Sequence, residues 1–543
     1  MEDKYWILDT NNLSDIKNTF IGYTVSEEGE FFFNKRPDIL DGTGCYTCIE
    51  VSPEIIVISQ DFLGMQGIYH YKNESRNIFS NGYLKLIDYL LNNNCSLSID
   101  KNFCVQYIFS NEEPINMNDT ILKEIKRIGK DFIIKINLKD GDVNFIEKDY
   151  EINSIKVDTK ETIDILDKWH NKWCNVYRNL VKIKSPLLID LSGGMDTRIC
   201  FGLLLNSNID KNNIIIKRNV CRKISYEKNY DDWEISQEIV DKYKYSDRCN
   251  LKYFKNKKSK KEEKLPIFEV FDNLIFGNSK ICDYKSSLFS EPIFHINGIY
   301  GDRNHLSDMT AIKMYIKHKK VKYAKDMKIE DKQILADLID KYSGIIFKKF
   351  ESKNRPLFLG DYSFEYINRF FGSKVISKMF QNDVLVCPFA DPSIHKIQIH
   401  LEGTKNYFAL ASLIYNRYFE DLINFKFQTD FEPRVINEEE IKFAKNLCAK
   451  YPFVKIEREF IPDLTDKTII IYKEIFKEEN VRKILEERLK KAEKEFVNIF
   501  GKEYFQLGMN DLKLANICMQ NYLTPIVSIC SVLNLLNQKE NKK

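Results

Sequence analysis

The residues best suited to chemistry lie in one short run, Leu191-Ser192-Gly193-Gly194-Met195-Asp196-Thr197. A short apolar strand, Leu187-Leu188-Ile189-Asp190-Leu191, precedes it, and a helical pattern over Thr197 to Leu205 follows. In that setting two glycines let the backbone approach a ligand closely and turn their N–H groups inward. The positive end of the next helix favours phosphate. Ser192 and Thr197 add hydroxyls. Asp196 would repel bare phosphate, so its presence implies a bridging Mg²⁺. The plainer alternative is a tight strand-to-helix turn capped by aspartate. A bare Ser-Gly-Gly would leave that alternative ahead; the full run in its strand–turn–helix setting reverses the order. No other nucleotide motif competes. Gly129-Lys130 is followed by Asp131, Gly501-Lys502 by Glu503, and Gly42-Thr43-Gly44 lacks a third glycine.

The elements that must position this run follow from the pattern around it. Before it, Lys160 to Asn179 reads as a helix with Ile163, Leu166, Trp169 and Trp173 on one stripe. After it come a second buried strand, Asn213 to Lys217, and a helix from about Asp231 to Tyr243. Alternating strand and helix indicates a parallel α/β arrangement. Residues 1 to about 150 differ. Phe31 to Phe33, Thr47 to Val51, Ile55 to Ser59 and Gly67 to Tyr71 are short β-prone runs, with a helical piece over Gly82 to Leu91. Ile133 to Leu138 and Val143 to Ile146 flank Asp140-Gly141-Asp142 as a hairpin. Residues 303–380, 434–450 and 472–499 read as mainly helical. The expected fold is thus an α+β antiparallel N-terminal part, then an α/β parallel-sheet part, then a largely helical C-terminal part.

Composition narrows the classes. The 543 residues suggest about three to four domain-sized units. A hydrophobic fraction of 43% excludes a disordered chain. Lys+Arg of 82 against Asp+Glu of 79 gives no global field for nucleic acid. The lysine-rich stretches Lys255 to Lys264 and Lys317 to Lys328 read as solvated surface. Thirteen cysteines, an odd number, with a charged opening MEDKYWILDT, fit reduced thiols in a cytoplasmic protein. Cys45 and Cys48 lack the second pair of a zinc ribbon, so ordinary buried thiols are expected. Leu514 to Leu536 is interrupted by Asn516, Gln520, Asn521, Pro525 and Asn534, which suits packed helices rather than a membrane span.

The run at 191–197 resembles the pyrophosphate-binding loop of the N-type ATP pyrophosphatases. Asn297-Gly298-Ile299-Tyr300-Gly301-Asp302, after a strand at Pro292 to Ile296, is similar to the SGxGxDE segment of asparagine synthetases, and Pro388-Phe389-Ala390-Asp391 to their PFLD segment. Asp61 to Tyr69 resembles a segment of the class II glutaminase domain, and Ser80 to Lys85 another. The likeness to the asparagine synthetase and β-lactam synthetase superfamily covers most of residues 1 to about 430. It implies a degenerate glutaminase-like sandwich over 1–155, an ATP-dependent amide-ligase domain over 156–433 and a helical extension over 434–543. It further implies ATP and Mg²⁺ as cofactors, with Leu191, Ser192, Gly193, Gly194, Asp196, Thr197, Gly298 and Lys374 on the nucleotide and Asp196 and Asp302 on the metal. The substrates would be a small-molecule or peptide carboxylate and an amine or ammonia. The resemblance leaves room for a homodimer or a partner biosynthetic protein, and gives no role to a membrane or nucleic acid.

Departures from the family are equally specific. Its glutaminase uses a cysteine directly after the initiator Met; here residue 2 is Glu and the first cysteine is Cys45, so glutamine hydrolysis is expected to be lost. The acceptor-side Glu or Tyr of the family falls at Ile299, with Tyr300 beside it, and a second Glu falls at Val384, with Asp383 beside it. Either the substrate has no aspartate-like amine to grip, or Tyr300 and Asp383 form a shifted pair. Lys405 is the candidate for the family's catalytic lysine. Lys378 is an alternative to Lys374. Arg198 and Arg303 either bring cations to the site or lie on a helix exterior. His395 and His400 are expected to be structural. A transfer-RNA-modifying enzyme and an inactive ATP-binding homologue are the competing functions.

Overall fold

The computed structural model describes residues 4–109, 118–148, 158–218, 230–249, 254–256, 287–289, 291–299, 327–351, 375–376, 378–401, 409–427, 438–465, 470–474, 478–514 and 522–540. Strands β1 (Ile7–Asp9), β2 (Thr19–Val25), β3 (Phe31–Phe33), β4 (Gly44–Val51), β5 (Ile55–Gln60), β6 (Tyr69–Asn73) and β7 (Arg76–Ser80) lead into helices α1 (Tyr83–Asn92) and α2 (Lys101–Phe109). Three more follow, β8 (Ile125–Arg127), β9 (Phe132–Asn137) and β10 (Val143–Glu147). They form two antiparallel sheets, ordered β1-β7-β6-β8 and β10-β9-β5-β4-β2-β3. Leu8 and Phe79 from the first sheet meet Ile49, Ile56, Ile58, Ile134 and Ile136 from the second in one small core. The alternation of side chains along each strand produces this, one face apolar and inward. The expected hairpin is present, with Val143 opposite Ile136.

Helix α3 (Lys160–Ile183) then delivers the chain to β11 (Leu187–Leu191), which is followed by α4 (Met195–Asn206), β12 (Ile214–Arg218) and α5 (Tyr230–Lys242). Short strands β13 (Phe254–Asn256) and β14 (Ser287–Phe289) precede β15 (Ile293–Ile296), α6 (Ile329–Glu351) and β16 (Asp383–Val386). The order β12-β11-β15-β16 is parallel throughout. Register places Leu187, Ile189, Leu191, Ile214, Ile216, Phe294, Ile296, Val384 and Val386 on one face. All are buried in the main core with Trp169, Trp173 and Tyr177 of α3 and Ile199 and Leu203 of α4. Leu188, Ile215, Ile293 and Leu385 on the opposite face are buried as well, so the strands read as near-continuous apolar runs.

The C-terminal part contributes α7 (Pro392–Leu401), α8 (Ala409–Tyr418), α9 (Glu420–Ile423), α10 (Glu438–Lys450), β17 (Ile470–Glu474), α11 (Glu478–Phe500), α12 (Lys502–Lys513) and α13 (Leu523–Glu540). Residues 472–474, expected in a helix, belong instead to β17, which pairs with β13 and β14. Its β-branched Ile470 and Ile471 suit the strand. Helix α10 packs on α8, whereas α13 packs on α1 and α2. Phe109 meets Tyr504 and Tyr522 edge-on at 4.9 and 5.8 Å between ring centroids. Among the described residues no helix is long and apolar enough to cross a membrane.

The antiparallel and parallel parts meet at a buried lysine. Lys172 of α3 lies 3.0 Å from Asp41 and 3.1 Å from Asp391, and donates to Thr43 Oγ1 at 2.9 Å. Asp391 also accepts the Trp173 indole N–H at 3.0 Å, and its other oxygen caps α7 by accepting the Ser393 N–H at 2.9 Å. The Gly42-Thr43-Gly44 run therefore docks the two parts together: positive φ values of 91° and 137° at its glycines bring Thr43 to Lys172. Burial opposes the ammonium, but Asp391 and Asp41 together hold it above the ordinary lysine range. Replacing Lys172 by Met leaves two carboxylates facing each other without a cation. A loss of about 3–5 kcal/mol is expected, read from the urea unfolding midpoint.

Candidate functional site

The loop between β11 and α4 is held by its own hydroxyls. Thr197 Oγ1 accepts the Ser192 N–H at 3.1 Å, the two hydroxyls share a hydrogen bond of 2.8 Å, and Ser192 Oγ accepts the Gly194 N–H at 3.1 Å. Gly194 caps α4 in an extended conformation, and Tyr415 of α8 donates to the Met195 carbonyl at 2.8 Å. The helix begins at Met195, two residues before the expected Thr197, so Asp196 lies in its first turn.

Gly298 lies directly against this loop. A Cβ placed on it would stand 2.8 Å from both the Thr197 nitrogen and the Asp196 Cβ. Only glycine fits there, because the backbone after β15 rests on the Asp196–Thr197 peptide. Leu191, Ser192, Gly193, Gly194, Asp196, Thr197 and Gly298 are thus brought together. Tyr300, Asp302, Arg303, Lys374 and Lys405 lie outside the described residues.

The Gly193 N–H donates to Asp232 Oδ1 at 2.7 Å. Asp232 is delivered by the first turn of α5, which Arg218 at the end of β12 pins by stacking 3.6 Å from the centre of the Trp233 ring and donating to Ser236 Oγ at 3.1 Å. All three N–H groups from Ser192 to Gly194 therefore have side-chain acceptors, two hydroxyls and one carboxylate. The Gly193 N–H is thus bonded to an anionic oxygen of the chain itself. Arg198 is neither on a helix exterior nor a free cation beside the loop. It is fully buried, donates to the carbonyls of Gly193, Phe425 and Lys426 at 3.0, 3.1 and 2.6 Å, and stacks on Phe427 at 4.0 Å. Its five donors suit it to gather carbonyls in this way.

The other face of the parallel sheet carries a row of ionisable groups that the motifs did not announce. Lys217 lies 3.7 Å from Asp190, Asp190 2.9 Å from His295 Nε2, His295 Nδ1 3.1 Å from Asp383, and Asp383 3.6 Å from Lys378. The Asp190–His295 contact is close but poorly aligned for a hydrogen bond, and is ionic when the imidazole is protonated. This row and the Ser192 and Thr197 hydroxyls line a cavity of about 250 Å³. Burial works against each charge. Nevertheless His295 and Lys217 draw Asp190 down to about 2, and His295, with Lys378, holds Asp383 below the usual carboxylate range. His295 is raised above the ordinary histidine value: burial opposes its charge, but Asp190 and Asp383 outweigh that. A sequence signal existed, since Leu187–Leu191, Ile293–Ile296 and Asp383–Val386 are apolar strands that each carry one ionisable residue, and Ile214–Arg218 ends in two.

His395 is buried away from this cavity, its ring 5.2 Å from Phe62. Cys45 and Cys48 are buried, and their odd spacing on β4 points them to opposite faces. Neither a protein-family model nor a curated protein matches the chain.

Two variants test this geometry. Gly298→Ala forces the loop and the β15 turn apart and is expected to cost about 1–3 kcal/mol, measured as a fall in melting temperature. Asp232→Ala removes the internal carboxylate from the Gly193 N–H. Affinity for pyrophosphate with Mg²⁺, measured by calorimetry, is expected to rise by about tenfold, since hydrogen bonds to charged groups are worth about 1.5–3 kcal/mol.

Proposed function

We propose that the chain is an ATP-dependent amide-forming ligase of the asparagine synthetase-like kind, which releases AMP and pyrophosphate. The observation that carries this reading is the seating of Gly298 on the Asp196–Thr197 peptide. Two segments far apart in sequence, each resembling one part of a single nucleotide site, meet there backbone to backbone. The loop stands at the carboxyl end of a parallel strand, where open α/β sheets commonly take ligands. The Asp232 contact adds that the loop accepts an anionic oxygen.

On this reading residues 156–433 form the ligase domain, with residues 1–155 as a degenerate glutaminase-like domain and 434–543 as a helical extension. Ser192, Thr197 and the N–H groups of the loop hold the two outer phosphates of ATP, leaving the innermost open to a substrate carboxylate. Leu191 and Gly298 back the adenosine, and Lys374 or Lys378 faces the pyrophosphate. Mg²⁺ is often held by one or two carboxylates plus phosphates; on this reading Asp196 and Asp302 would hold it, and it would offset charge on departing pyrophosphate. Ammonia or an amine then displaces AMP, with Lys405 stabilising the oxyanion. Asp383 is engaged by His295 and Lys378, which favours a place in the cavity wall over a pair with Tyr300. An external nitrogen donor belongs to this proposal; burial pushes the Cys45 thiol up strongly and Cys48 up to about 12, a poor state for a nucleophile at either. A cytoplasmic setting belongs to the same proposal.

A second reading, ATP binding without turnover, draws on the occupied Gly193 N–H. Exchange of labelled pyrophosphate into ATP, across a panel of carboxylic acids, separates the two. The ligase reading expects exchange with at least one acid and a loss of at least about 10²-fold in Asp196→Ala. ATP binding with no exchange for any acid supports the second reading, and near-normal exchange in the variant overturns the assignment of Asp196.

A further inference from the structure

We propose that His295 is a positioning residue for the anion loop: the proton it carries between Asp190 and Asp383 holds the Asn297–Ile299 turn, and through Gly298 the start of α4, in the shape that receives phosphate. This rests on the reading that the loop binds the phosphates of a nucleotide.

A continuous set of contacts leads from the imidazole to the loop. Asp190 divides its oxygens: Oδ1 faces His295 Nε2 at 2.9 Å, and Oδ2 accepts the Asn297 side-chain N–H at 2.5 Å. Asn297 Oδ1 in turn accepts the Ile299 N–H at 2.8 Å, and the Asn297 backbone N–H reaches the Val386 carbonyl at 3.0 Å. The turn so closed presents Gly298 to the Asp196–Thr197 peptide.

The protonation state matters because both ring nitrogens face carboxylates. A neutral imidazole has one N–H, so one carboxylate would then meet a lone pair. Asp190 is the one with somewhere to go, since its side chain is 20% exposed and Lys217 stands 3.7 Å away. A turn of Asp190 toward Lys217 and water withdraws the acceptor that orients Asn297. Among the described residues the charged groups facing His295 are Asp190 on β11, Lys217 on β12, Asp383 on β16 and Lys378 just before it. Burial disfavours the proton, Asp190 and Asp383 favour it, and Lys217 opposes it, with a net raised affinity for the proton. A group raised in this way contributes fully below its unfolded value and loses its contribution as pH rises through the folded one.

The test is calorimetric binding of pyrophosphate with Mg²⁺ from about pH 6 to about pH 9, in wild type, His295→Gln and His295→Asn. The ratio of wild-type to variant affinity at each pH removes the titration of pyrophosphate itself. That ratio is expected to be about tenfold at low pH and to fall to unity as His295 deprotonates. In Asp383→Asn, which lacks one of the carboxylates holding the proton, the inflection moves to lower pH. A second readout needs no ligand: hydrogen exchange of the peptide over Asn297–Ile299, corrected for base catalysis, loses protection over the same pH range in wild type and is unprotected throughout in His295→Gln. A flat affinity ratio, or turn protection indifferent to pH and to His295, overturns the proposal. If His295→Gln fails to fold, the Asp383→Asn shift and the wild-type exchange profile decide. If wild type binds no pyrophosphate at any pH, the nucleotide reading fails, and hydrogen exchange alone still decides whether His295 sets the turn.

Discussion

The carboxyl edge of the parallel sheet is governed by one steric fact: there is no room for a Cβ between the turn after β15 and the first residues of α4. Strand order sets this up. β15 lies beside β11, so the chains leaving both strands emerge side by side and must share the space above them. Glycine at 298 lets them share it by backbone contact alone. Once that contact is made, the direction of α4, the placing of Asp196 and Thr197, and the closure of the loop by the Ser192 and Thr197 hydroxyls follow from ordinary helix-start geometry. The buried Arg198 adds support from below, tying the Gly193 carbonyl to the 425–426 backbone.

The opposite face shows how a sheet core tolerates charge. Isolated ions there would be prohibitive. With His295 protonated, the signs alternate from Lys217 through Asp190, His295 and Asp383 to Lys378, so each charge has an opposite neighbour. The lysines at the two ends are the looser members, and Lys217 is half exposed, so water screens the ends while His295 at the centre stays dry. Such a row makes the protonation of one buried ring matter to its neighbours, because they cannot be rehydrated independently.

Much of the frame was legible before any coordinates. The strand at Leu187–Leu191, the α3 stripe of Trp169 and Trp173, and the Asp140-Gly141-Asp142 hairpin appear where periodicity and turn chemistry put them. Proximity of Gly298 to the loop was legible through motif resemblance alone, since no local property of either segment specifies it. The short strands at Ile7–Asp9 and Arg76–Ser80 were not, because the first gains its strand character from pairing with the second, and the second from pairing with Tyr69–Asn73. Nor was Asp232: an aspartate in the first turn of a helix looks like any favourable N-terminal charge, and only the placement of α5 by Arg218 aims it at Gly193. The same holds for Asp391, whose resemblance to a motif residue gave no hint that it would join a cap, an indole and a lysine.

The carboxylate resident at Gly193 has a bearing on affinity. An incoming oxygen gains nothing at that N–H until it displaces one already bound at 2.7 Å. The neighbouring N–H groups of Ser192 and Gly194 are likewise already bonded, to the Thr197 and Ser192 hydroxyls. On the proposed nucleotide reading, each contact a ligand makes at these three donors is therefore an exchange of one hydrogen bond for another. The loop is in this sense self-guarded: net affinity would have to come from charge and from groups beyond these three donors.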